Sequence, residues 1–165
     1  MRPILLLASL CLCSLTACGS LDGTLRGCAS GYQRPDFARL RQDLRQAQAR
    51  WAGARTPDYS FDFSQLAEPI QLPTLHVVVR GGAVQSAEVV GDNPSGATPP
   101  SPGTVETLFR TISQTLTRQQ TEPCPAVSAN YDPADGHPTS FFSATLLANL
   151  ADGGGGWTVL TFTRP

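Results

Sequence analysis

The sequence predicts an α+β fold: an antiparallel sheet of about six strands with two amphipathic helices packed on it, in the order α-β-β-β-α-β-β-β. Three observations predict it. Two stretches repeat apolar residues at spacings of three and four, while several others alternate apolar and polar residues with a period of two. Gly81-Gly82 separates two of the alternating stretches, and adjacent glycines suit the positive φ angles of a tight antiparallel hairpin. The strands also come in runs and do not alternate with helices, which favours helices to one side of an antiparallel sheet over a parallel α/β arrangement.

The chain opens on Arg2 and an apolar run from Ile4 to Leu15, closed by Leu15-Thr16-Ala17-Cys18. The run is shorter than the roughly 20 residues a membrane-spanning helix needs. It has the charged start, apolar middle and small-residue end of a cleaved signal peptide, with an uncleaved anchor as the alternative. The last four residues have the pattern of a bacterial lipobox, in which the cysteine thiol takes a diacylglyceryl group. Residues 1–17 are therefore expected to be a lipoprotein signal peptide, Cys18 the lipidated mature N-terminus, residues 18–35 a flexible tether, and residues 36–165 a single globular domain. Gly19 is not the Asp that retains lipoproteins in the inner membrane of two-membrane bacteria, so the outer membrane is expected where there are two. The anchored protein is expected to face the periplasm or the cell exterior.

All 12 basic residues are Arg, balanced by 13 acidic ones. This near-neutral charge argues against a nucleic-acid partner. Cys11 and Cys13 would leave with the leader and Cys18 would carry lipid, which leaves Cys28 and Cys124. A pair outside the cytoplasm suggests a disulfide, with two unpaired thiols as the alternative.

Gly19 to Arg34 is rich in Gly and Ser without an apolar period, as a tether should be. Phe37, Leu40, Leu44, Ala47 and Trp51 then form one helical stripe that Asp36 can cap. Arg39, Arg41, Arg45 and Arg50 lie on the other face, solvated or near anionic headgroups. Thr56-Pro57-Asp58 breaks the helix, and Tyr59, Phe61 and Phe63 alternate as a half-buried strand. Leu75, Val77 and Val79 alternate with His76 and Arg80, and Ala83 to Val90 returns beside them after the glycine turn. Gly91 to Gly103, dense in Pro and Gly, reads as a surface loop.

Val105, Leu108, Phe109, Ile112 and Leu116 trace a second helix, with Thr104 as candidate cap and Glu106 in the first turn, where the helix dipole favours an acid. Cys124 lies between Pro123 and Pro125 at the start of a strand in which Val127, Ala129 and Tyr131 alternate. Asp132 to Pro138 is turn-rich and leads into a strand over Thr139 to Leu147. The last strand is expected from Trp157 to Thr163.

Val77-Val78-Val79-Arg80-Gly81-Gly82-Ala83-Val84 and Tyr131-Asp132-Pro133-Ala134-Asp135-Gly136-His137-Pro138-Thr139-Ser140 together resemble DUF6174, a family of bacterial secreted proteins and lipoproteins of unknown function. Trp51 at a helix end, the Tyr59 strand and the helix from Val105 to Ile112 follow the same order, so the resemblance spans about residues 36–165. It implies a small envelope domain without an assigned activity. Members of the family often carry a close cysteine pair after the first strand. Ser64 to Glu68 has none, which leaves Cys28 with Cys124 as a local solution.

Asp132, Asp135 and His137 form the most site-like group, since carboxylates and an imidazole can ligate a divalent cation. The same residues also build a turn: Asp132-Pro133 starts it, Asp135-Gly136 supplies a positive φ and Pro138 ends it. His76 alternates away from Leu75, Val77 and Val79 and falls on the opposite face of its strand. The sequence from Cys18 onward holds no Gly-x-Ser-x-Gly elbow, no Gly-Lys-Ser/Thr phosphate loop and no Cys-x-x-Cys. No cofactor is expected. The resulting expectation is a non-catalytic envelope lipoprotein, attached to the membrane through lipid on Cys18, that binds or organises an envelope protein or cell-wall partner. The alternative is a metal-dependent or hydrolytic enzyme using Asp132, Asp135 and His137.

Overall fold

The structure is a computed structural model that describes residues 27–91, 93, 96, 99–148 and 154–165. The leader, the lipobox with Cys18 and the tether up to residue 26 lie outside the described residues.

Helix α1 (Phe37–Ala54) starts where expected: Asp36 Oδ1 accepts the Arg39 backbone N–H at 3.0 Å. Phe37, Leu44, Ala47 and Trp51 are buried and Leu40 packs at their margin, so the predicted stripe is the buried face. The helix ends on Arg55 in the left-handed conformation, with φ 47°. The strands are β1 (Tyr59–Ala67), β2 (Ile70–Gln71), β3 (Thr74–Arg80), β4 (Ala83–Val90), β5 (Pro125–Tyr131), β6 (Pro138–Thr145) and β7 (Gly155–Thr163), with α2 (Val105–Gln119) between β4 and β5.

The α+β reading therefore holds, with one more strand than expected. The addition is β2, a two-residue piece that folds back on the end of β1 through Leu66–Gln71 and Ala67–Ile70 pairs. It is too short to show a period of two, and Pro69 and Pro73 mask it as a loop. Every pairing is antiparallel, in the order β4-β3-β1-β7-β6-β5, with β2 off the path. The first long strand thus lies beside the last one, pairing from Ser60–Thr163 to Ala67–Gly155.

The core lies between one sheet face and the two helices. Tyr59, Phe61, Phe63, Leu75, Val77 and Val79 point into it from β1 and β3, and meet Ala47 and Trp51 of α1 and Leu108, Phe109, Ile112 and Leu116 of α2. Burying each such large side chain contributes roughly 1.5–3 kcal/mol. At the β3–β4 turn, Gly81 (φ 57°) and Gly82 (φ 76°) take the positive angles a two-residue hairpin requires. That turn also pins the α1–β1 link: Gly81 N–H donates to Asp58 Oδ1 at 2.7 Å and Gly82 N–H to Pro57 O at 2.9 Å.

The helices run antiparallel to each other. Arg34, just before α1, donates to the Gln120 carbonyl at 2.6 Å and the Glu122 carbonyl at 3.2 Å, just past the end of α2. At the other end, Trp51 in the last turns of α1 bonds Glu106 in the first turn of α2. The segment leading to α1 is fastened from Cys28 onward. Cys28 is joined to Cys124, Ala29 N–H donates to Leu146 O at 3.0 Å, and the Tyr32 hydroxyl donates to Pro125 O at 2.9 Å. The disulfide expected between the two cysteines is present.

Candidate functional site

The Asp132–Pro138 segment is a closed loop joining β5 to β6. Asp132 Oδ1 accepts the backbone N–H groups of Ala134 (2.8 Å) and Asp135 (3.0 Å), so this carboxylate substitutes for a backbone acceptor in the turn. Asp132 N–H donates to His137 O at 2.8 Å and Gly136 N–H to Asp132 O at 3.0 Å, closing the loop on itself. Gly136 has φ 84°, the positive angle read from the Asp-Gly pair. It also lies so close to α1 that a β-carbon there would sit 2.3 Å from Ala47 O.

Docking on α1 buries what the sequence presents as a polar surface turn. Asp135 and His137 are only 3% and 7% exposed. Asp135 Oδ1 accepts from the His137 backbone N–H at 2.9 Å and pairs with His137 Nδ1 at 2.6 Å, while Asp135 Oδ2 ion-pairs with Arg164 just beyond β7. A carboxylate only accepts, so Nδ1 carries the imidazole proton. The ring stacks on Phe162 of β7, with centroids 4.0 Å apart and planes at 14°. Burial holds the His137 imidazole below its ordinary pKa, against an opposing pull from the Asp132 carboxylate, which keeps the ring neutral.

The structure thus brings the three candidate ligands together: one donor atom from each of Asp132, Asp135 and His137 lies within 4.8 Å of the others. Their hydrogen bonding identifies what they do there. Asp132 Oδ1 holds the turn, and both oxygens of Asp135 are engaged by His137 and Arg164, so a cation at Asp135 would compete with a guanidinium already in place. His76 stands apart on the open sheet face, where its Nδ1 lies 2.7 Å from Asp62 Oδ1, its direct cross-strand neighbour.

A second feature, which the sequence does not reveal, is a cleft of about 620 Å³ where the end of α1 meets the start of α2. Trp51, Phe109 and Pro57 supply an apolar wall, and Gln48, Arg55 and Glu106 a polar rim. Trp51 Nε1–H donates to Glu106 Oε1 at 2.8 Å. Partial burial would raise the Glu106 carboxyl, but the Trp51 and Thr104 side-chain hydrogen bonds outweigh it and hold the group below the usual carboxylate range, hence ionised.

Thr104 occupies the N-cap position, as expected, but its side chain caps no backbone N–H. The Val105 N–H is instead satisfied by the Tyr59 hydroxyl at 2.9 Å. Burial is the main reason that hydroxyl is pushed up to about 12, with the Val105 hydrogen bond acting the other way. The only signals that could have located this cleft are Trp51 closing one apolar stripe and Glu106 opening another. Each reads locally as ordinary helix chemistry.

The motif loop and the cleft share one aromatic cluster. Phe162, stacked on His137, also stacks on Tyr59 at 5.3 Å and meets Trp51 edge-on at 6.0 Å. The model of a family of unknown function, DUF6174, matches residues 43–164. The match runs from within α1 to the arginine that pairs with Asp135, so it takes in the motif loop and all the residues named for the cleft, and stops short of Cys28. No curated protein matches the chain.

Proposed function

The chain belongs to DUF6174, a family of unknown function, and on that footing we propose that it is a lipid-anchored protein of the bacterial cell envelope whose α+β domain binds an envelope protein or cell-wall partner without catalysis. The observation that carries this reading is the Cys28–Cys124 disulfide. Such bonds persist in oxidising compartments outside the cytoplasm, and this one fastens the chain shortly after the lipobox cysteine Cys18. The stretch between them is about ten residues and, if fully extended, spans at most roughly 35 Å.

Fastening at Cys28 also sets where the lipid tether would enter the domain. The disulfide, Arg34 and Gln120 lie at one end of the helix pair, and the cleft at Trp51 and Glu106 lies at the other. With lipid on Cys18, the chain enters the domain at the disulfide end, so the cleft lies at the end of the helix pair remote from the attachment point and is open to a partner.

The test uses the full-length chain in a bacterium. Wild type is expected to be processed, to incorporate labelled palmitate and to sediment with membranes, whereas Cys18→Ala should accumulate as an unlipidated precursor. Normal maturation of that variant overturns the anchoring. A photo-crosslinking amino acid placed at Ala52, on the cleft, should capture an envelope component that the same group at Glu88, on the open sheet face, does not. Equal capture at both positions would reject the cleft as the binding surface.

A further inference from the structure

The cleft is charged in a particular way. Arg55 borders it from the end of α1 and Glu106 from the start of α2, with the apolar wall of Trp51, Phe109 and Pro57 completing it. Trp51 and Phe109, 6% and 3% exposed, show the cleft only their edges and form its floor, and the exposed Ala52 and Pro57 add apolar surface beside them.

Arg55 makes no ion pair or hydrogen bond among the described residues. It nevertheless holds φ 47°, the only non-glycine residue described with a positive φ, at a helix C-cap where glycine is unstrained. A residue with a β-carbon pays about 1–2 kcal/mol there. The strain is tolerated at a residue that lines the cleft and has no partner among the described residues, a placement that strained residues at ligand sites share. Glu106 opposes it as a carboxylate already oriented by Trp51.

A purely anionic ligand would meet the like charge of Glu106, and a purely cationic one that of Arg55, so each is selected against. A ligand carrying both charges around an apolar body satisfies the two ends and the wall together. The volume lies in the range of roughly 300–1,000 Å³ typical of clefts that take drug-sized ligands. We propose that the cleft binds a short apolar peptide with free termini, its carboxylate on Arg55, its ammonium on Glu106 and its side chains on Trp51, Phe109 and Pro57. This assignment rests on the reading of the cleft as the binding surface and names the ligand class for it.

The experiment is calorimetric titration of the full-length protein in detergent with trileucine, its N-acetylated form, its C-amidated form and the doubly blocked form. Trileucine should bind saturably, and each block should weaken it about fivefold, the size of a partly solvated ion pair. Arg55→Gln should make the acid and the amide bind alike, and Glu106→Gln should do the same for the free and acetylated amines. Absence of saturable binding by trileucine, or equal affinity for the free and doubly blocked peptides, overturns the proposal. The wild-type peptide series decides the matter even if a variant does not fold. Crosslinker capture from Ala52 with no trileucine binding would reject the peptide class and leave the cleft as binding surface, whereas loss of both would reject the two together.

Discussion

Trp51 Nε1–H donates to Glu106 Oε1 across 2.8 Å and so ties the last turns of α1 to the first turn of α2. Trp51→Phe keeps an aromatic edge against Tyr59 and Phe162 but removes this donor, at an expected cost of about 1–2 kcal/mol in denaturant unfolding. The pH dependence should change with it. Glu106 in the folded protein lies below its ordinary value of 4.5, so its contribution is present above that value and is lost as pH falls through the lower folded one. Without Trp51 the folded value rises, and the acid limb of the stability profile should flatten.

Gly136→Ala tests the docking of the motif loop. The substitution combines a positive φ of 84° with a β-carbon placed 2.3 Å from Ala47 O, and both elements involved are backbone. A loss of about 3 kcal/mol or more is expected. A thermal midpoint unchanged from wild type would show that the loop does not lie against α1.

His137 should make the protein acid-sensitive. Its folded value lies below the ordinary 6.5 because burial disfavours the charged ring, so on acidification the unfolded chain takes up the proton first. Stability should fall as pH drops from about 6.5 toward the folded value. His137→Gln should be less stable at pH 7 by about 1 kcal/mol or more, through loss of the ring stacked on Phe162, yet flatter with pH below 6.5. Parallel profiles for the two proteins would reject this account.

Removing the disulfide through Cys28→Ser with Cys124→Ser should destabilise the fold by about 4–5 kcal/mol in the chain-entropy account, because the bond closes a loop of 96 positions. The contacts of Ala29 and Tyr32 with Leu146 and Pro125 should then loosen, which backbone hydrogen exchange at Ala29 would report. On wild type, reduction should add the mass of two hydrogens.

Periodicity made most of the elements legible. Apolar spacings of three and four mark α1 and α2, alternation marks β1, β3 and β5, and Gly81-Gly82 marks the hairpin, because helix and strand present side chains at different intervals. The strand β2 was not legible, since two residues carry no period. Asp132 and Gly136 were legible as turn residues because their chemistry is local: one accepts nearby N–H groups and the other takes a positive φ. The burial of Asp135 and His137 was not, because Arg164 and Phe162 reach them from the far end of the chain.

The same division holds for the cleft and for the molecule. The fold class, most of the elements, the resemblance to DUF6174 and the cysteines available to pair follow from the sequence, since each depends on residue type and spacing along the chain. The tertiary structure decided that β1 lies beside β7, that the motif loop rests on Ala47, and that Arg55, Trp51, Glu106 and Phe109 share one cleft. Those contacts join residues far apart in the chain, where only packing of the sheet face against two antiparallel helices determines which side chains meet.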